Sequence, residues 1–436
     1  MKRGEGITGP LRLRNFRLLF SAQLASNLGD WIDFLALAVL IAYVWHKGPG
    51  SLAALAIVIA VPWIVVAPFS GVLADRWPKR VTMIGADLAR AAIVIGFVFA
   101  PNVPVLLALV CLKTVFSTLF NPAEQAAVRV IVPEEQLHAA NALSQLVVQS
   151  TKVIGPALGG LLVGLSSPRV AFAVDAATFV VSAAILTRLS VDERRATALA
   201  EEDEGEPAET SFWQELREGI AYIGSRRALL ISMVSFAAVI FLLLAFDSLS
   251  PLAFRELGVS RALFGIAVAA IGLGGVLGAI SVGRYGGGVN PFVLMGGASA
   301  IIGGLVALIG VGLLTSLDAP PVVWTPVLLA VGFASAGVLV ASPTILQKET
   351  PPPLMGRVST ASSTLPTVCQ LAGPIVGATL AEWQSVGFVF ASAGGSLALL
   401  GLVVLVVRPP VGVDVPGAET VQADLSFINP TEGAPA

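Results

Sequence analysis

Twelve times along this chain a mostly apolar run recurs. Each is about 20 residues or longer, the length that crosses bilayer hydrocarbon as a helix. The runs cover roughly 17–45, 51–74, 81–100, 103–121, 137–164, 169–189, 227–253, 259–283, 290–315, 321–346, 355–382 and 385–407. Lipid offers no partner to backbone N–H and C=O groups, so such runs must be helical. Gly and Pro are abundant, at 44 and 28 copies, which packed membrane helices tolerate. Charged residues make up 12 % of the chain, against about 25 % in a soluble domain. A soluble enzyme is thereby excluded, and 56 % hydrophobic residues exclude a disordered scaffold. A net charge of −2 leaves no basic excess for nucleic acid. The expected fold class is an all-α polytopic membrane protein of twelve helices in two six-helix bundles.

Orientation follows from Lys and Arg. With both termini cytoplasmic, the outer loops hold only Lys47, Arg169, Arg255 and Arg261. Arg90, Lys113 and Lys152 fall inside spans, and the rest of the 26 basic residues lie inside. The positive-inside rule favours this arrangement, and a bacterial-type inner or plasma membrane is the expected location. The first run follows a basic arm but is too long, with two Asp residues, to read as a cleaved signal.

The pattern divides the chain into a bundle over 1–189, a linker over 190–226, a bundle over 227–408 and a tail over 409–436. Glu201, Glu202, Asp203, Glu204, Glu206 and Glu209 predict a solvated, flexible linker. Beyond them Phe212, Leu216, Ile220 and Ile223 recur at helical spacing, predicting an amphipathic helix on the inner membrane face. The tail is polar and Pro-rich, and is expected to be disordered. Pro133, Gly155 and Pro156 match Pro351, Gly373 and Pro374 at a shift of 218 residues, half the chain. Repeats of this kind point to a transporter with a midplane site between two bundles.

Two motifs carry a family resemblance. Gly71, Asp75, Arg76, Lys79 and Arg80 sit on the first inner loop, with Pro78 between. The segment resembles the loop signature of the major facilitator superfamily, with Pro78 in place of the second Gly. Gly71 is expected to let two helices approach closely. The resemblance implies that Asp75 latches onto the start of the eleventh span near Leu354, with Arg129 nearby. The second-half copy keeps Gly278 and Arg284 without the Asp. Gly155, Pro156, Gly159 and Gly160 on the fifth span resemble the core of the signature seen in drug and proton antiporters, with Thr151 in place of its upstream Gly. Gly29-Asp30, Asp87 to Arg90, Asn121-Pro122-Ala123 and Glu218-Gly219 extend the likeness to bacterial exporters that include enterobactin and macrolide efflux carriers. The resemblance implies alternating access, a proton gradient as the energy source and no cofactor. It further implies an amphipathic small-molecule substrate, with protons and the bilayer as the other partners. A monomer is expected.

Charges at membrane depth mark function by default, because burying them is expensive. Asp30 and Asp33 share a face of the first helix with Gln23 and Ser26, and Gln23 and Asn27 are cavity candidates. Lys113 lies in the fourth span, and Lys152 in the fifth with Gln145 and Gln149 before it. In the superfamily the first, fourth, seventh and tenth helices line the cavity, so Asp30 or Asp33 is expected to face Lys113 across it. Three readings stay open. They are a structural salt bridge, proton coupling with Asp33 first and Asp30 second, and substrate recognition. Asp87 and Arg90 are expected to form a structural or gating pair. Asp247 is a cavity or mouth candidate, and Asp175 is expected at the membrane interface. Trp31, Phe34, Trp63, Phe116, Phe241 and Trp324 either line the cavity or face lipid and core. The alternatives to a proton-coupled exporter are a proton-independent lipid flippase or uniporter, and a sensor that moves nothing. No phosphate-binding Gly-Lys-Ser/Thr loop and no His- or Cys-rich metal cluster is present in the sequence.

Overall fold

A computed structural model describes residues 8–192, 195, 212–317, 319–351 and 354–409. The acidic stretch 201–209 and the tail from 410 lie outside the described residues, as do the side chains of Asp75, Arg76, Phe212 and Leu216.

The first half contains α1 (Arg14–Val39), α2 (Pro49–Val65), α3 (Ala67–Arg76), α4 (Lys79–Phe99), α5 (Val103–Ile131), α6 (Leu137–Leu165) and α7 (Pro168–Leu186). The connecting helix α8 (Phe212–Ser225) follows. The second half contains α9 (Arg227–Asp247), α10 (Ser250–Glu256), α11 (Arg261–Tyr285), α12 (Pro291–Leu314), α13 (Trp324–Glu349), α14 (Met355–Trp383) and α15 (Val386–Val407). Eleven of the described helices are long and apolar enough to cross a membrane.

The second apolar run is two helices, α2 and α3, broken at Val66. Pro68 follows the break at the start of α3, where a proline has no N–H to give to the preceding turn. The fourth run extends ten residues beyond the expected end, so Arg129 lies on α5. The seventh ends at Asp247 and resumes as the short α10.

Within the first half α1 packs on α6 and α7, and α4 on α5 and α7; within the second, α12 packs on α15, α11 on α13 and α9 on α14. The repeat is visible in the helix ends. α6 and α14 both have 29 residues, and both of their ends are related by the shift of 218 seen in the sequence. Gly155 of α6 lies against Trp31 of α1, and Gly373 of α14 against the Phe241 carbonyl of α9.

The halves meet at the face opposite the basic N-terminal segment. There α6 crosses α11 at Gly160 and Gly265, where a Cβ on either would strike the other's backbone. Glu382 Oε1 accepts from Gly50 N at 3.1 Å, Arg255 donates to the Ala42 carbonyl, and the Tyr43 and Phe264 rings lie 5.7 Å apart. Toward the basic face the facing surfaces of α6 and α14 are uncovered by protein, including Gln145, Gln149, Ser363 and Thr367. Among the described residues the halves touch at that face and leave these surfaces uncovered toward the basic one. The helix α8 does not lie free. Arg357 Nη1 donates to Glu218 Oε2 at 2.6 Å, Tyr222 donates to the Glu349 carbonyl at 3.1 Å, and Ile223 is buried against Val358 and Ala361.

Candidate functional site: an ionic network inside the first bundle

Four helices of the first bundle converge on one ionic network. α1 presents Asp30 and Asp33 one turn apart, and α5 presents Lys113 between them. Lys113 Nζ lies 2.7 Å from Asp30 Oδ1, 2.6 Å from Asp33 Oδ2 and 3.6 Å from Asp175 Oδ2 on α7. Arg90 on α4 reaches Asp30 Oδ2 at 3.5 Å and pairs with Asp87 one turn before it. Ser182 of α7 donates to Asp87 Oδ2 at 2.6 Å. Phe179 underlies both cations, with Arg90 at 4.4 Å and Lys113 at 5.3 Å from its ring centre, and Phe120 lies 4.7 Å from Arg90. Such faces attract a cation through the ring quadrupole. Glu124 of α5 is buried within electrostatic reach of Arg90 and Asp87.

The sequence makes this convergence possible at Gly29. A Cβ there would strike the Asp175 carboxylate and the Thr178 hydroxyl, so only Gly lets α7 bring Asp175 against α1. Five carboxyl groups thus share two cations. Asp33, Asp87 and Asp175 are sealed from the surroundings, whereas the Asp30 side chain is 32 % exposed.

Three expectations need correction. Asp175 is not interfacial. It lies fully buried two turns into α7, within reach of Lys113. Asp30 and Asp33 do not face Lys113 across a cavity. They touch it inside one bundle, because α1, α4, α5 and α7 pack together. Gly71 does not mediate a close approach, since a Cβ there would meet nothing within 4 Å. The pair Asp87–Arg90 exists, but as part of the same network rather than a separate one. Asp175, Glu124 and Ser182 were missed as members. A carboxyl near a helix start and a Ser in an apolar run give no signal in one sequence. Spacing relative to Asp30 on another helix is what matters.

The other candidates scatter. On the inner-loop motif, Lys79 is buried, and Arg80 Nη2 donates to the Thr187 carbonyl at the end of α7. A cation is favoured there by the helix dipole. The latch assigned to Asp75 rests on a side chain outside the described residues, where that of Arg76 also lies. Gly155, Gly159 and Gly160 pack against Trp31, Ile32 and Gly265, with Pro156 inside the helix. Gln23 is buried with its Oε1 unpartnered, and Asn27 Nδ2 bonds back to the Gln23 carbonyl at 3.0 Å. Gln145, Gln149 and Lys152 lie on one uncovered face of α6, and Asp247 is exposed at the end of α9. Trp324 is core, not lining.

The second bundle contributes an apolar wall. A cavity of about 490 Å³ is bounded by α9, α13 and α14, with Ile223 of α8 at its rim. Its polar lining is neutral, made of Ser232, Ser342, Ser362, Ser363, Thr367 and Gln370.

The sequence profile of the Major Facilitator Superfamily matches residues 19–368. The chain belongs to that family. It is 29 % identical over 394 residues to the MFS-type transporter YfiS of Bacillus subtilis, covering 89 % of this chain and 92 % of that one. It is 26 % identical over 358 residues to macrolide efflux protein A of Streptococcus pyogenes, with 78 % and 83 % covered. The putative bacilysin exporter BacE of Bacillus subtilis is 27 % identical over 275 residues, with 62 % and 66 % covered. Among solved structures, the nucleoside transporter NupG superposes with a TM-score of 0.66 at 13 % identity, covering 89 % of this chain and all of that one. A bacterial homologue of the human lysosomal transporter Spinster, inward-facing and unoccupied, superposes at 0.62 with 14 % identity, covering 97 % and 100 %. The fold is therefore that of the superfamily, and the chain is a multi-pass membrane transporter with efflux proteins among its relatives.

Proposed function

We propose that this chain is a proton-coupled exporter of amphipathic small molecules, working by alternating access in a bacterial inner membrane. The basic face is cytoplasmic, and the arrangement described is the inward-open one. The chain works as a monomer, with both termini inside. The observation that carries the coupling is the charge count of the network. Among the described residues, Asp30, Asp33, Asp87, Asp175 and Glu124 face two cations, Arg90 and Lys113. Full ionisation would strand negative charge at membrane depth, where an unpaired charge is expensive. A proton bound by the Asp30–Asp33 pair reduces that excess by one charge. Asp30, whose side chain is partly exposed, takes the role of entry and exit, with Asp33 the buried store and Lys113 the counter-charge. Export as the direction is supported by the efflux relatives.

The test is proton release from everted vesicles on adding lipophilic cations, dyes, macrolides or catecholate siderophores. Wild type is run beside Asp33→Asn and Asp30→Asn. A substrate-triggered proton flux that both variants lose supports coupling. Wild-type substrate flux that ignores an imposed pH gradient overturns it in favour of an uncoupled lipid flippase or uniporter.

A further inference from the structure

The repeat places two polar faces opposite one another, and only one of them is charged. On α14, Ser363, Thr367 and Gln370 are uncovered and line the 490 Å³ cavity. Their counterparts at the shift of 218 are Gln145, Gln149 and Lys152 on α6, also uncovered. Both helices have the same length and the same position in their bundles. The face of α6 is therefore the first bundle's wall of the same central space. Helical phase agrees. Gly155 and Gly159 turn toward α1 and Gly160 toward α11, and Lys152 falls in the sector between them. It lies about 22 Å along α6 at about 1.5 Å per residue, near mid-membrane, below the seam that Gly160 and Gly265 close.

Three cations stand at membrane depth among the described residues. Arg90 and Lys113 are committed to carboxylates. Lys152 has no described carboxylate within ion-pair distance, and its symmetry mate is the neutral Gln370. An ammonium without a partner among the described residues, on one face with two amide side chains, favours an anion from elsewhere. Asp30 is a poor competitor for cationic ligands, because both of its oxygens already face Lys113 and Arg90.

We infer that Lys152, presented with Gln145 and Gln149, recognises an anionic group on the transported amphiphile, whose apolar body lies against the neutral wall of α9, α13 and α14. The inference rests on the transport reading only in calling that ligand a substrate. A soluble carboxylated amphiphile and an anionic lipid headgroup share this anionic chemistry.

The experiment measures equilibrium binding, so an absence of coupling would not affect it. The full chain in phosphatidylcholine nanodiscs is titrated with 11-(dansylamino)undecanoic acid, its neutral amide and its trimethylammonium analogue, with empty nanodiscs as the blank. The acid should bind about tenfold tighter than the amide, the worth of one charge-assisted hydrogen bond. Lys152→Gln should close that gap to within about threefold, while Lys152→Arg keeps it. Moving the charge across the pseudo-twofold, with Lys152→Gln and Gln370→Lys together, should reopen it and so guards against a folding artefact. Repeating the titration with phosphatidylglycerol in the disc assigns the source: competition marks a lipid headgroup, and its absence marks a soluble anion. Equal or tighter binding of the amide or the ammonium probe to wild type overturns the inference. A gap that survives Lys152→Gln overturns it as well.

Discussion

Replacing Lys113 by Met removes the cation 2.6 Å from Asp33 Oδ2 and 2.7 Å from Asp30 Oδ1 while keeping most of the apolar stem. The consequences differ around the site. Asp30 retains Arg90 at 3.5 Å, whereas Asp33 and Asp175 retain no cation among the ion pairs of the described residues. Removing one partner of a buried pair costs about 3–5 kcal/mol, and with two carboxyls stranded we expect the upper half of that range. Asp33→Asn leaves Lys113 paired with Asp30 and should cost about 1–2 kcal/mol, the loss of one hydrogen bond to a charged group. In the double variant Asp33 is no longer stranded, so the two losses should fall short of their sum by about 1–3 kcal/mol. The assay is SDS-driven unfolding from mixed micelles, followed by the fluorescence of the seven Trp residues. Acidification should narrow the Lys113→Met deficit, because a protonated carboxyl needs no cation. A deficit below about 1 kcal/mol, or additivity within about 0.5 kcal/mol, would refute the assignment of Lys113 as the charge that holds the network together.

Other perturbations separate packing from charge. Gly29→Ala forces a methyl into Asp175 and Thr178 and should cost about 1–3 kcal/mol by overpacking, read in the same unfolding assay. Gly265→Val meets the Gly160 backbone and should hold the halves apart at the face where they touch; a Tyr43→Cys reporter in a Cys-free background should then label faster with maleimide from that face. Arg90→Lys keeps the charge but loses the planar fork to Asp87 and the stacking between Phe120 and Phe179, and should lower stability by about 1–2 kcal/mol. Glu218→Gln breaks an ion pair whose partners are 40 % and 35 % exposed, so its cost should stay below about 1 kcal/mol, with a melting temperature close to wild type.

The fold was legible because lipid imposes a length and a helix on every crossing segment. The family was legible from spacing on one loop and one helix. What a single sequence conceals is which charged helix faces meet. Asp175 sits seven residues into its helix, where an interfacial residue would also sit. Only the absence of a side chain at Gly29 reveals that α7 comes close enough to use it. The break at Val66 was readable from Pro68 but was hidden inside a run whose total length suited one crossing. The extension of α5 to Ile131 was hidden by Pro122, which reads as a stop yet is accommodated inside the helix.

The repeat sharpens what the charges mean. At the shift of 218, Lys113, Glu124 and Asp175 correspond to Val331, Ser342 and Ala393, so the second bundle repeats the scaffold and omits the ions. It is instead close-packed where α12 meets α15, with Gly303 against Gly394 and Gly296 against Gly401. Were the ions needed to hold a six-helix bundle together, the second bundle would be the less stable copy or would carry an ionic substitute. It carries glycines and apolar side chains, which pack without leaving any charge to satisfy. At these positions the network is an addition to the repeated scaffold, retained at the desolvation cost that any buried ion incurs. A purely structural salt bridge leaves that cost unexplained. The proposed proton site makes use of it, because charges held away from water respond strongly when one of them is neutralised.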